Sequence, residues 1–102
     1  MKFEAIAATM EEDAFGHCYS QNDLEKMERE APGVPVLLFF GKRVGKIGKA
    51  RAEPGRLRVW GEADADLEGL YCVPRWNDGQ MTAVGLVKVP LDPFLTPVKE
   101  LI

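Results

Sequence analysis

His17 and Ser20 are the one histidine and the one serine of this sequence, and they stand three positions apart. On a helix, positions i and i+3 are neighbours, so the pair could serve as base and nucleophile. Gly16 and the acidic run Glu11-Glu12-Asp13 argue against a helix there. His17 beside Cys18 is no better placed, because adjacent side chains diverge. His17, Cys18 and Cys72 with one carboxylate would reach the ligand number that zinc needs, but they have no metal-ligand spacing. Cys72 lies in the apolar run Leu70-Tyr71-Cys72-Val73 and reads as a small core residue. The two cysteines form no CxxC pair, and no disulfide is expected in a reducing compartment. The expectation is therefore no catalytic, cofactor-binding or metal-binding residue.

The stretch from Gly41 to Lys49 carries three glycines, Gly41, Gly45 and Gly48, and four bases, Lys42, Arg43, Lys46 and Lys49. It lacks the Gly-Lys-Ser/Thr ending and the following helix of a phosphate loop. Trp60 and Trp76 could stack on bases, but a tryptophan on an alternating strand such as Arg56–Trp60 reads as core. Nucleic acid is accordingly disfavoured as a partner.

These residues need a scaffold, and the stretch 34–63 supplies its centre. Val34–Phe40 is apolar throughout and reads as a strand buried on both faces. Gly41-Lys42-Arg43 breaks it, and a mixed stretch runs from Val44 to Glu53. Pro54-Gly55 makes a turn, since proline fixes φ and glycine accepts positive φ. Arg56–Trp60 alternates polar and apolar residues, as a strand with one wet face does. The three pieces predict an antiparallel meander.

On either side lie shorter signals. Lys2–Ala7 alternates and reads as a first strand. Asn22-Asp23-Leu24-Glu25 is a capping-box candidate, with Ser20 and Asp23 as a second register. The helix that follows, near 22–31, would bury Leu24, Met27 and Ala31 and stop at Pro32-Gly33. Leu70–Val73 reads as a strand that Pro74 ends or places at a sheet edge. Asn77-Asp78-Gly79 is the strongest hairpin signal. Met81–Val89 reads as a last strand, with Gly85 a bulge or a point of close approach. The sum is a mainly β fold, about six strands in a small antiparallel barrel with one short helix.

A chain of 102 residues gives one domain, assigned to residues 1–90, followed by a proline-rich tail, 91–102. The net charge of −3 names no polyanion or membrane partner, but the charge is uneven. Residues 1–33 hold eight acids against three bases, whereas residues 42–58 hold seven bases against one acid, Glu53. Lys42, Arg43, Lys46, Arg56 and Arg58 thus mark a basic hairpin able to dock on an acidic neighbour. Pro90, Pro93 and Pro97 deny the tail a place inside a sheet, and Thr96-Pro97 fits a helix start. Phe94, Leu95, Leu101 and Ile102 make the tail apolar, which assigns them to a partner, the competing reading being that the tail wraps back over the barrel's open end. Ile6–Met10 is too short for a signal-peptide core and no stretch reaches membrane-spanning length, so a cytoplasmic protein is expected.

Taken in order, the motifs resemble the prohead (capsid-maturation) proteases of tailed phages. The opening Phe3–Thr9 strand, loop and short helix are similar to that family's start. Pro35–Phe40 followed by Val44-Gly45-Lys46-Ile47-Gly48-Lys49 is similar to its P-V-L … H-D … I-G-R stretch. Gly55–Glu62 resembles its G-L-x-V-x-G strand, and Ala83–Pro93 its closing E-V-S-L-V-x-x-P-A-N-P. The family's catalytic histidine follows the P-V-L strand, where this chain has Phe39, Phe40 and Gly41. Its serine lies on a later strand, and residues 64–85 contain none. The resemblance implies a protease-like barrel in a phage-head setting, without its catalytic residues. The expected role is a non-enzymatic virion protein, capsid-associated or decorating, made in the host cytoplasm. Its partner would be a capsid or other virion protein, or a second copy in a homo-oligomer, and not a membrane. The alternatives are a residual peptidase using His17, Ser20 or Cys72, and a small cytoplasmic module for a ligand or nucleic acid.

Overall fold

The structure, a computed structural model, describes residues 1–12, 16, 18–90 and 93–101. In chain order the elements are β1 (Lys2–Thr9), α1 (Gln21–Glu30), β2 (Pro35–Leu38), β3 (Lys42–Glu53), β4 (Arg56–Ala63), β5 (Tyr71–Asn77), β6 (Gln80–Val87) and β7 (Lys99–Leu101). They form one seven-stranded sheet in the order β5-β6-β2-β3-β4-β1-β7. β5 sits at one edge yet packs against β1 near the other, so the sheet curls into a half-barrel. The fold is mainly β with one short helix, as the sequence predicts.

The meander β2-β3-β4 stands as expected, with two refinements. The first strand is shorter than Val34–Phe40, because Phe39 and Phe40 both take positive φ, 52° and 59°. Gly41 N–H donates to Leu38 O at 3.0 Å, which closes a turn of the mirror-image type that suits right-twisted hairpins. The second refinement is a parallel pair, β2 with β6, inside an otherwise antiparallel sheet. The chain after Ala63 crosses to the far side of β2, and the β5–β6 hairpin arrives with β6 running alongside it.

Turn chemistry decides the other hairpins. Gly55 (φ 77°) closes β3–β4, and Asp78-Gly79 (φ 51° and 75°) closes β5–β6. Pro74 does not end its strand; β5 is the sheet's edge, where the missing N–H is tolerated. Gly85 is the close-approach site: the Phe40 ring occupies the space that a Cβ there would need.

Helix α1 starts at the second of the two registers. Ser20 is the N-cap, its Oγ accepting from Asp23 N–H at 3.1 Å while Asp23 Oδ2 accepts from Ser20 N–H at 2.8 Å. The backbone and hydroxyl of Ser20 hold the Asp23 carboxyl below its usual range. Leu24, Met27 and Ala31 are buried and join Phe3, Val36, Ile47, Leu57, Val59, Val84 and Leu86 in the core. Gln21 fastens the helix to the β3–β4 turn, donating to Glu53 O at 3.1 Å and accepting from Gly55 N–H at 2.9 Å.

The tail departs from the expectation. Lys99–Leu101 pairs antiparallel with β1 as strand β7, rather than starting a helix at Pro97. Val98 N–H donates to Leu70 O at 2.7 Å, and Leu95 and Val98 are buried. The three prolines precede β7, so none of them interrupts its ladder. The tail therefore ties the approach to β5 back to β1, spanning the two ends of the curled sheet. Residues 99–101 thus add a strand to the sheet.

Candidate binding groove on the outer face of the sheet

Strand register sets which side chains share the convex face. Lys46, Glu62 and Lys2 stand in one cross-strand row, continued by Leu101. Lys49, Trp60, Glu4 and Lys99 form the next row, and Arg51 and Arg58 the one after. Inward from these strands point Phe3, Ala5, Ile47, Ala50, Leu57 and Val59, all buried.

Strict alternation would put Lys46 and Lys49 on opposite faces. A β-bulge at Gly48 inserts one extra residue, so Ile47 pairs with Gly61 and Lys49 with Trp60. Both lysines then point outward. Glycine is needed opposite Ile47: a Cβ on Gly61 would stand 2.7 Å from Lys46 O and 2.9 Å from Phe3 Cζ.

The result is a groove of about 260 Å³, lined by Lys2, Lys46, Lys49, Trp60, Glu62 and Leu101. Lys49 Nζ lies 4.8 Å from the centroid of the Trp60 ring. Trp60 is half-buried on the outer face, the side its alternation shares with Arg56 and Arg58, and not in the core as expected. Lys2, Lys46 and Lys49 are exposed at the rim against a single acid, Glu62.

The nine residues assigned to a partner from the sequence are divided by the fold. Lys46 and Leu101 meet in the groove. Lys42 and Arg43 are exposed at the start of β3, beside the Phe39-Phe40 turn. Arg56 and Arg58 are engaged: Arg56 Nε meets Glu53 Oε1 at 2.8 Å, and Arg58 binds Glu53 and Glu4. The hydrogen bond from Arg58 leads in holding the Glu53 carboxyl below its ordinary value; Arg56 adds to it and desolvation opposes. Glu53 and Glu4 in return raise the Arg58 pKa. Phe94 is exposed, Leu95 is buried, and Ile102 lies outside the described residues. The sequence reading did not assign Trp60, Lys49 or Lys2 to a partner; an aromatic directly after a basic stretch was the available signal.

Two of the groups weighed for chemistry, Ser20 and Cys72, are engaged elsewhere. Ser20 Oγ caps the helix. Cys72 is fully buried, and that desolvation pushes its thiol up to about 12. Cys18 is exposed, with Sγ 3.5 Å from Met10 O, and His17 lies outside the described residues. Among the described residues no cluster of His, Cys, Asp and Glu could hold a metal. A second cavity, of about 370 Å³, is lined by Cys18, Tyr19, Asp23, Lys26, Trp76 and Gly79. Its polar atoms are spent internally, with Trp76 Nε1–H donating to Tyr19 Oη at 3.1 Å and Lys26 Nζ to Gly79 O at 2.6 Å.

Comparison with protein-family models, with curated proteins and with solved structures finds no match for this chain.

Proposed function

We propose that this protein is a non-enzymatic structural protein of a phage virion, joined to a capsid or other virion protein by surface complementarity. The reading starts from the order of motifs that resembles the prohead proteases. The observation that carries it is the turn after β2, where that family has its histidine. There Phe39 and Phe40 hold positive φ, and the Phe40 ring packs onto Gly85 of β6. A bulky residue in the left-handed region is strained, at roughly 1–2 kcal/mol each. Such strain persists only where packing holds it, and here the seat of the Phe40 ring against Gly85 provides that packing. Ser20 and Cys72 support the same reading, one as a helix cap and the other as an inert core thiol.

The test is association with particles. Phage particles purified by density gradient from the source are probed with an antibody raised against the chain. The protein is expected in the particle fraction at a fixed ratio to the major capsid protein. Its absence from particles would sink the proposal. Labelling of one residue by a serine or cysteine peptidase probe, abolished by replacing that residue with alanine, would do the same.

A further inference from the structure

We infer that the Trp60 groove docks an extended acidic protein segment that carries one aromatic or large apolar anchor. The inference deepens the structural role proposed above and depends on it only for the partner being a virion protein. Three features of the groove select this occupant. Its floor is apolar, formed by the Trp60 ring and Leu101, and its size suits a side chain rather than a whole cofactor. Its rim is cationic: Lys2, Lys46 and Lys49 face one acid, in a chain whose net charge is −3. Charge of the opposite sign to the rest of the molecule steers an acidic partner to this face. Finally, Leu101 belongs to β7, the last strand of the sheet. The groove thus opens at an edge where an extended segment can run alongside with main-chain hydrogen bonds while an alternate side chain enters the pocket.

The same features speak against nucleic acid. A stacking platform presents successive aromatics along a basic track. Here a single accessible ring lines the groove, Phe3 being buried, so successive bases find no second aromatic to stack on.

The experiment titrates the full chain against a fluorescein-labelled peptide of aspartate and glutamate around a central phenylalanine, read by fluorescence anisotropy. Saturable binding is expected. Lys46→Glu should weaken it about tenfold or more, as a lost and reversed charge contact worth about 1.4 kcal/mol would. Changing the peptide's phenylalanine to serine should weaken it comparably. Lys46 is exposed, so an unchanged melting temperature certifies the fold of the variant. Arg75→Glu makes the same charge change at an exposed site on β5 and should leave binding within about twofold. Absence of saturable binding, or equal loss in both variants, would overturn the inference. Tighter, Lys46-dependent binding of oligo-dT or of phosphatidylserine vesicles would also overturn it, assigning the groove to another occupant. Peptide binding by a protein absent from particles would remove the virion role and leave the groove. Particle association without peptide binding would do the reverse.

Discussion

Lys49 and Trp60 face each other across β3 and β4, with the ammonium 4.8 Å from the ring centroid. The contact exists because Gly48 bulges out of β3 between Ile47 and Lys49. A cation over an indole face at a partly exposed site contributes roughly 0.5–1 kcal/mol. Its larger effect is geometric, since the same bulge keeps Ile47 and Ala50 in the core while two lysines flank one aromatic on the convex face.

Gly85→Ala should destabilise the protein. The new Cβ would collide with the Phe40 ring, and overpacking of this kind costs typically 1–3 kcal/mol. Adding Phe40→Leu, which shortens the obstructing side chain, should recover part of the loss. Urea denaturation of both variants measures this. A Gly85→Ala protein as stable as the parent would show that the ring does not hold its place.

Ending the chain at Pro90 should lower the melting temperature by several degrees or more. Leu95 and Val98 are buried, and each such side chain contributes roughly 1.5–3 kcal/mol when removed from water. The β1–β7 pairing and the Val98–Leu70 hydrogen bond are lost with them. An unchanged melting curve by circular dichroism would mean that the tail does not secure the ends of the sheet.

Stability should fall with acid partly through Glu53. Its carboxyl, held down first by Arg58, has a folded pKa below the ordinary 4.5. A depressed carboxylate contributes stability that is present above the unfolded pKa and lost as pH drops through the folded one. Glu53→Gln should therefore be less stable than the parent at neutral pH and should lose less stability on acidification below about pH 5. Parallel acid limbs for the two proteins would exclude this contribution.

The two thiols should differ sharply in reactivity. Cys18 is exposed, whereas Cys72 is fully buried with its pKa pushed up to about 12. An aromatic disulfide reagent at pH 8 should titrate one thiol in the native protein and two in denaturant, because the thiolate is the reacting species. Rapid native reaction of Cys72, followed in Cys18→Ser, would contradict its burial.

Much of the scaffold is legible in local chemistry. Pro54-Gly55 and Asn77-Asp78-Gly79 fix two hairpins, since positive φ at Gly55, Asp78 and Gly79 is a property of those residues and not of their surroundings. The apolar faces of β4 and α1 follow from periods of two and of 3.6 residues, and Leu24, Met27, Leu57 and Val59 are buried accordingly. The capping register was ambiguous because Asn22 and Ser20 both offer a cap. The one that lets Ser20 and Asp23 satisfy each other was taken.

The rest turned on long-range packing. Val34–Phe40 reads as one continuous strand, yet it ends at Leu38 because Phe40 finds the empty space over Gly85, 45 positions later in the chain. Leu95 and Val98 of the tail could serve a partner or the domain, and only the curl of the sheet, which brings the approach to β5 near β1, gives them a seat within the chain. The groove was hidden for a similar reason. A lysine-rich stretch is visible in sequence, but the face each lysine takes depends on a one-residue bulge whose position is set by pairing with β4. Residue types determined the strands, turns and charge of this protein. Register and curvature, which are collective properties of the sheet, decided which of those charges meet.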